Sequence, residues 1–261
     1  MKTMKKKLIF ILILLLIPAF AWASGRIVFM SPGTSSCASC TGGLLFAAYF
    51  EENANLDITE GEPCGCAASS GDTLWTANDS CVIVEGANGY VDSADAGKYI
   101  SFDISSDDIV NDSTGSVAIK IETTGFDDAA NIIEMYKDYN NQIHLTYYSV
   151  ADLLVTYRGN SVSKNTVTAA AGVATGGTYY IIFRWTNDDV DPNIYLEVFD
   201  SDKVSMGSGS NNDNLTAMAS APTILKIGNS TVEEADTHIF GVKIYDTYAG
   251  ATPGDFSDFD N

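Results

Sequence analysis

From Ser116 onward the chain alternates apolar and polar residues with a period of two, and that alternation constrains its fold more than any other feature. In Ser116-Val117-Ala118-Ile119-Lys120-Ile121-Glu122, Val117, Ile119 and Ile121 share one side while Ser116, Lys120 and Glu122 share the other. Successive side chains of an extended chain point to opposite faces, so this segment reads as a strand with one face in a core and one in water. Residues 142–147 repeat the arrangement, and so do 152–158, with Leu153, Val155 and Tyr157 inward and a tight turn at Ser149-Val150-Ala151 between them. Residues 179–186 are apolar on both sides for most of their length, as expected of a central strand. After the polar hairpin 187–192, Ile194, Leu196 and Val198 face in again. Residues 203–205, 224–228 and 238–245 supply later strands, and 26–30, 44–50, 82–85, 90–91 and 99–103 earlier ones. Residues 132–139 have helix-compatible content, but turn signals on both flanks favour a strand. About a dozen short strands with few candidate helices predict an all-β, two-sheet antiparallel sandwich.

The first residues are of another kind. Lys2, Lys5, Lys6 and Lys7 precede an apolar run over 8–21 and the small-x-small stretch Ala21-Trp22-Ala23, which reads as a secretory signal peptide cleaved after Ala23. The run is shorter than the roughly 20 residues a spanning helix needs, so the expected mature protein is secreted, extracellular or periplasmic, with no membrane span. Residues 24–251 are expected to form one sandwich domain with a Cys-containing N-terminal segment, and the acidic tail 252–261 to be loosely held. Cleavage removes four of 14 Lys+Arg and none of 34 Asp+Glu, leaving ten basic residues against 34 acidic ones. Such a surface repels phosphate backbones, which excludes nucleic acid and disfavours anionic membranes. Solubility alone also accounts for an acidic surface.

All five cysteines lie early, as Cys37-Ala38-Ser39-Cys40, Cys64-Gly65-Cys66 and Cys81. In an oxidising compartment they would make two disulfides and leave one thiol; four of them could instead hold a tetrahedral zinc. Both alternatives stand, and so does neither. Thr41 stands where covalent haem attachment needs His.

The order and wording of the strands resemble the laminin-G-like branch of the concanavalin A-like jelly rolls. Leu45-Phe46-Ala47-Ala48-Tyr49-Phe50-Glu51 is similar to that branch's opening strand, and Asn88-Gly89-Tyr90-Val91 with Tyr99-Ile100-Ser101-Phe102 to its Gly-x-Tyr-Val region. Gly115-Ser116-Val117-Ala118-Ile119-Lys120-Ile121 resembles the Gly-Thr-Ile-Ser-Phe-Trp-Val strand. Gly176-Gly177-Thr178-Tyr179-Tyr180-Ile181-Ile182-Phe183-Arg184-Trp185 resembles Gly-x-Trp-His-His-Val-Ala-x-Thr-Trp, with residues 193–200 in place of the next hairpin. Lys226-Ile227-Gly228 and Ile239-Phe240-Gly241-Val242-Lys243-Ile244-Tyr245-Asp246 complete the series. The resemblance implies extracellular binding more than catalysis. It also shows a departure: Phe240-Gly241 stands where the family's closing strand carries Asp-Glu, which weakens any carry-over of its calcium site.

Glucanases of this superfamily carry Glu-x-Asp-x-Glu on one strand, where alternation aims three carboxylates into one cleft. No such triplet occurs, and Glu233-Glu234-Ala235-Asp236 has the wrong spacing. His144 and His238 lie on strand patterns, no Gly-x-Ser-x-Gly elbow is present, and Gly207-Ser208-Gly209-Ser210 lacks the basic partners of a phosphate loop. Calcium is the metal such acidic loops suit, because a hard cation takes six to eight oxygens. Asp188, Asp189 and Asp191 are the first candidates, followed by Asp107, Asp108 and Asp112 and by 211–214; polar Asx turns explain each equally. Tyr148, Tyr180, Trp185, Tyr195 and Phe199 lie where an aromatic sugar site could be assembled, although core or edge packing accounts for most of them and none is assigned as a contact; Asn78, Asn111, Asn214 and Asn229 fit the glycosylation sequon.

These features predict a secreted, non-catalytic binding or adhesion module for a glycan or an extracellular or cell-surface protein, with calcium as its only expected cofactor. The alternative is a self-associating structural component of the cell envelope or matrix, and glycoside hydrolysis ranks third.

Overall fold

The protein was analysed as a computed structural model that describes residues 43–50, 75–77, 82–84, 89–93, 96–105, 110, 112–126, 129–167, 172–188, 192–231 and 235–260. The signal segment, the expected strand at 26–30 and Cys37, Cys40, Cys64, Cys66 and Cys81 lie outside the described residues.

Alternation becomes strand almost everywhere it was read. In chain order the strands are β1 (Leu44–Tyr49), β2 (Trp75–Ala77), β3 (Val82–Val84), β4 (Tyr90–Asp92), β5 (Tyr99–Asp103), β6 (Thr114–Phe126), β7 (Asn131–Asp138) and β8 (Asn141–Tyr148). They continue as β9 (Asp152–Gly159), β10 (Val162–Val167), β11 (Thr178–Thr186), β12 (Ile194–Phe199), β13 (Ser205–Asn211), β14 (Ile224–Gly228) and β15 (Ala235–Tyr245). The pairings are antiparallel and form two sheets. One has eight strands in the order β13-β12-β11-β6-β15-β4-β3, with β1 also on β15; the other has seven, ordered β10-β9-β8-β7-β14-β5-β2. This is an all-β two-sheet sandwich.

The core lies between the sheets and contains the alternate residues that the pattern turned inward. Val117, Ile119 and Ile121 of β6, Leu153, Val155 and Tyr157 of β9, and Ile194, Leu196 and Val198 of β12 are fully buried. Two tyrosine hydroxyls tie the interior together. Tyr147 on β8 hydrogen-bonds Thr237 on β15 at 2.7 Å, a bond from sheet to sheet, and Tyr157 donates to the Asp112 carbonyl at 2.7 Å. Gly115 sits opposite Trp185, where a Cβ would stand 2.2 Å from the indole, so the glycine that opens β6 makes room for the largest core side chain.

Three expectations are corrected. The strand read at 203–205 begins at Ser205 instead and runs through the Gly207-Ser208-Gly209-Ser210 stretch to Asn211. Lys203, at φ 61, sits in the turn that Asp200 closes by accepting from the Asp202 and Val204 amides. The outer face of β6 is not simply wet, because Ser116 is buried there. The physical reason is the third correction: the C-terminal segment is not loose.

Residues Pro253–Phe259 form a 3₁₀ helix opened by a Thr252/Asp255 capping box with Pro at its first turn. A 3₁₀ helix eclipses residues three apart, so Phe256 and Phe259 project together onto the eight-stranded sheet. They are fully buried against Ala118, Tyr180, Ile182, Phe199 and Tyr245. Ser116 receives the Ala251 amide at 2.8 Å and donates to the Thr247 carbonyl at 2.7 Å. The Phe240-Gly241 departure finds its cause here. A Cβ on Gly241 would stand 2.5 Å from Phe259 Cδ1, so no larger residue fits beneath the helix without displacing it.

Candidate functional site

The outer face of the seven-stranded sheet is built from the other half of the alternation. Register sets its rows. Thr156, His144, Glu134, Lys226 and Ser101 face one another across β9, β8, β7, β14 and β5. In the next row stand Arg158, Gln142, Tyr136, Ile224 and Asp103. No described helix packs across these rows as one does on the opposite sheet, and Glu134, Gln142 and Thr156 are buried among their own neighbours.

Glu134 organises the centre. Its Oε2 accepts from Lys226 Nζ at 2.7 Å and from Ser230 Oγ at 2.8 Å, and Asn131 Nδ2 donates to the same Ser230 Oγ at 2.8 Å. The Lys226 ammonium lies 4.4 Å from the Tyr136 ring centroid and 5.4 Å from that of Tyr99. One cation therefore fixes two aromatic rings, through attraction to their negative faces, while the carboxylate fixes the cation. Such a pair contributes little net stability once desolvation is counted, but it sets positions.

His144 lies beside Glu134 in the same row, with its Nδ1 sheltered from solvent and no hydrogen-bond partner. Burial pushes its pKa down to about 4, against the upward pull of Glu134 and with a further push from Arg158, so the ring is neutral at pH 7. At the turn from β7 to β8, Arg158 donates to the Tyr139 carbonyl at 3.2 Å and to Ser163 Oγ at 2.7 Å, and stacks 4.1 Å from the Tyr139 ring. Tyr139 is 68% exposed and Tyr148, at the end of β8, 50%. At the β5 side the face dips into a groove of about 400 Å³ lined by Ser101, Asp103, Ser105, Lys137, Thr223 and Ile224.

Of the aromatics singled out in the sequence, Tyr148 alone belongs to this face. Trp185 is core, Tyr180 and Phe199 lie under the C-terminal helix, and Tyr195 is 5.4 Å from the Arg184 guanidinium and donates to Glu197 at 2.8 Å. Glu134, Tyr136, Tyr99 and Lys226 were missed, because no local pattern shows the register that brings β7, β14 and β5 into line. His238 is on the other sheet, stacked on Tyr90 at 3.8 Å with Nδ1 3.4 Å from Glu122.

The acidic loops are turns where they are described. The Asp188 amide donates to Thr186 Oγ1 at 3.2 Å and its carbonyl accepts from Asn193 at 2.9 Å; Asp189 and Asp191 lie outside the described residues, as do Asp107 and Asp108. Asp112 accepts from Ser113, and Asn211 from the Asp213 amide. Among the described residues no group of three or more His, Cys, Asp or Glu is placed to hold a metal ion. Asn229 is buried with its Oδ1 bonded to Thr231, Asn214 is exposed, and Asn78, Asn111, Glu233 and Glu234 lie outside the described residues. No helix among the described residues is long and apolar enough to cross a membrane.

No protein-family model matches the sequence, and no curated protein matches it. Solved structures do. The receptor-binding domain of botulinum neurotoxin C/D mosaic serotype superposes with a TM-score of 0.58 at 11% identity, covering 83% of this chain and 50% of that one. The ligand-binding domain of botulinum neurotoxin serotype D in complex with N-acetylneuraminic acid gives 0.58 at 11%, covering 86% and 52%. The likeness is one of fold. This chain spans about half the length of those toxin domains. It spans nearly all of domain 4 of a GH43 extracellular arabinanase from Geobacillus stearothermophilus, solved with arabinotriose: 0.56 at 16% identity, 84% of this chain and 98% of that one. Two of these three neighbours were solved with a sugar.

Proposed function

We propose that the protein is an exported, non-catalytic glycan-binding module of the laminin-G-like, concanavalin A-like kind, with its ligand on the outer face of the seven-stranded sheet. The observation that carries this is the Glu134-Lys226 pair holding Tyr136 and Tyr99 in fixed positions on a face that no described helix covers. Sugars are bound by aromatic faces beside fixed hydrogen-bonding groups; Tyr136 and Tyr99 are half-buried rings of this face, and the buried Gln142 and Thr156 stand in its rows. The neighbours that carry N-acetylneuraminic acid and arabinotriose support the reading as domains of like fold. Export rests on the lysine-led apolar start of the chain.

A glycan array run with the full secreted chain, with and without calcium, tests the proposal. Binding in either condition, weakened about tenfold by Tyr136→Ala, supports it. No binding in both conditions overturns it. Calcium enters as a variable of that experiment, since two of its three first-choice ligands, Asp189 and Asp191, lie outside the described residues.

A further inference from the structure

The groove at the β5 side of the face has a composition of its own. Asp103 closes β5 and Lys137 lies near the end of β7, with β14 between them, so their backbones are two strand spacings apart, about 10 Å. Asp103 has no cationic partner among the described residues, and Lys137 has no carboxylate. Elsewhere on this sheet Lys226 and Glu134 neutralise each other in direct contact; here Asp103 and Lys137 line one groove without forming an ion pair.

The same groove is lined by the hydroxyl-bearing Ser101, Ser105 and Thr223 and by Ile224, with Tyr136 next in the row. The Ser105 amide donates to Asp103 Oδ1 at 3.0 Å, which orients the carboxylate. Hydrogen bonds from the Ser105 side chain and backbone hold its pKa below the usual carboxylate range, so it is an acceptor at neutral pH.

Resting on the glycan reading of this sheet, we infer that the groove is the subsite that selects the ligand, and that it selects an uncharged sugar by a pair of its hydroxyls, one donating to Asp103 and one accepting from Lys137. Charge-assisted hydrogen bonds are about twice as strong as neutral ones, so two of them give a ring hydroxyl pair both affinity and orientation. The groove's own charges cancel. The remaining field is that of a chain with 34 acidic residues and 14 basic ones, which opposes sialylated and uronic-acid ligands. A volume of about 400 Å³ accommodates one or two sugar rings.

Isothermal titration of the secreted chain with arabinotriose, a panel of other neutral oligosaccharides and N-acetylneuraminic acid tests this. At least one neutral sugar is expected to bind, with an affinity unchanged between about 0.05 and 0.5 M salt because no net charge is being screened. Asp103→Ala and Lys137→Ala are each expected to weaken it at least about tenfold, and Asp103→Asn less than Asp103→Ala. Both side chains are at the surface, and an unchanged unfolding midpoint confirms that the variants fold. Tighter binding of N-acetylneuraminic acid than of any neutral sugar overturns the inference and leaves the glycan reading standing. The same holds if Tyr136→Ala weakens binding while both groove variants bind as the parent does. Failure of the parent chain to bind any sugar overturns both.

Discussion

The two outer faces of the sandwich come from strands of the same alternating kind and end differently. On the eight-stranded sheet the outward residues include Ala118, Ile182, Tyr180 and Phe199, an apolar set that water disfavours, and the chain's own last helix covers it. On the seven-stranded sheet the outward residues are Glu134, Gln142, His144, Thr156 and Lys226, polar groups that are largely buried among one another instead of under a helix. One face is closed by packing, the other organised by hydrogen bonds. The difference teaches that the binding surface is to be sought where outward side chains are polar and held in place, not where the aromatics are most numerous.

The largest expected effect comes from breaking the closure. Phe256→Ala removes a ring 4.8 Å from Tyr180 and 5.1 Å from Phe199 and leaves a cavity on the sheet, at a cost of about 3–5 kcal/mol in urea unfolding. The sugar affinity proposed for the other sheet should not change in the folded fraction. A matching loss of binding at full folding would show that the two faces are not independent.

Asp255 comes next. Its carboxylate receives Tyr245 and lies 3.1 Å from Lys243, whose side chain is only 5% exposed. Burial alone would raise the Asp255 pKa, but hydrogen bonds from Tyr245, Thr252 and Lys243 outweigh it and lower it. Asp255→Asn leaves the Lys243 ammonium without that charge, and about 3 kcal/mol of stability is expected to go with it.

The polar face has its own signature in pH. His144 has its folded pKa lowered to about 4, below the ordinary value of 6.5, so the unfolded chain takes up its proton first. Stability is full above pH 6.5 and falls as pH drops from 6.5 to about 4, below which both states are protonated and the loss levels off. About 2 kcal/mol is the expected size once the ring's partial exposure is allowed for. His144→Gln should remove that slope and no other, and a slope that persists in the variant would assign it elsewhere.

Much of this was legible before any coordinates. Period-two alternation gave β6, β8, β9 and β12, a run apolar on both sides gave β11, and β7 was read from the turn signals on its flanks, because each carries apolar residues that a core can bury. Alternation missed β13, whose Ser-Met-Gly-Ser-Gly-Ser-Asn has little apolar content and is held as an edge by its hydrogen bonds to β12. The tail was misread because Pro253, Gly254 and the acidic residues signal a loop; the spacing of Phe256 and Phe259 was the counter-signal, and it means something only once a sheet is there to receive it. The site was legible in type and not in place. Glu134, Lys226 and Ser230 are up to 96 positions apart in sequence, and their contact depends on β14 inserting between β7 and β5, which no local pattern specifies.

The smallest effect expected is also on the closed face, at its rim. Asp260 lies 2.8 Å from Lys120 and 2.7 Å from Lys203 and accepts from Tyr180. Burial pushes its pKa up, yet hydrogen bonds from Lys120, Lys203 and Tyr180 prevail and hold it at about 2. A carboxylate lowered in this way stabilises the fold above its unfolded pKa of about 3.9, and that contribution is lost as pH falls from about 4 to 2. Because the side chain is one-third exposed and its partners are in reach of water, screening reduces the contribution to about 1 kcal/mol or less. Lys203→Gln should therefore shift the acid unfolding midpoint slightly and lose its effect in 1 M salt, whereas Phe256→Ala should destabilise equally at every salt concentration. An equal salt response in the two variants would mean that charge, and not burial, holds the helix on its sheet.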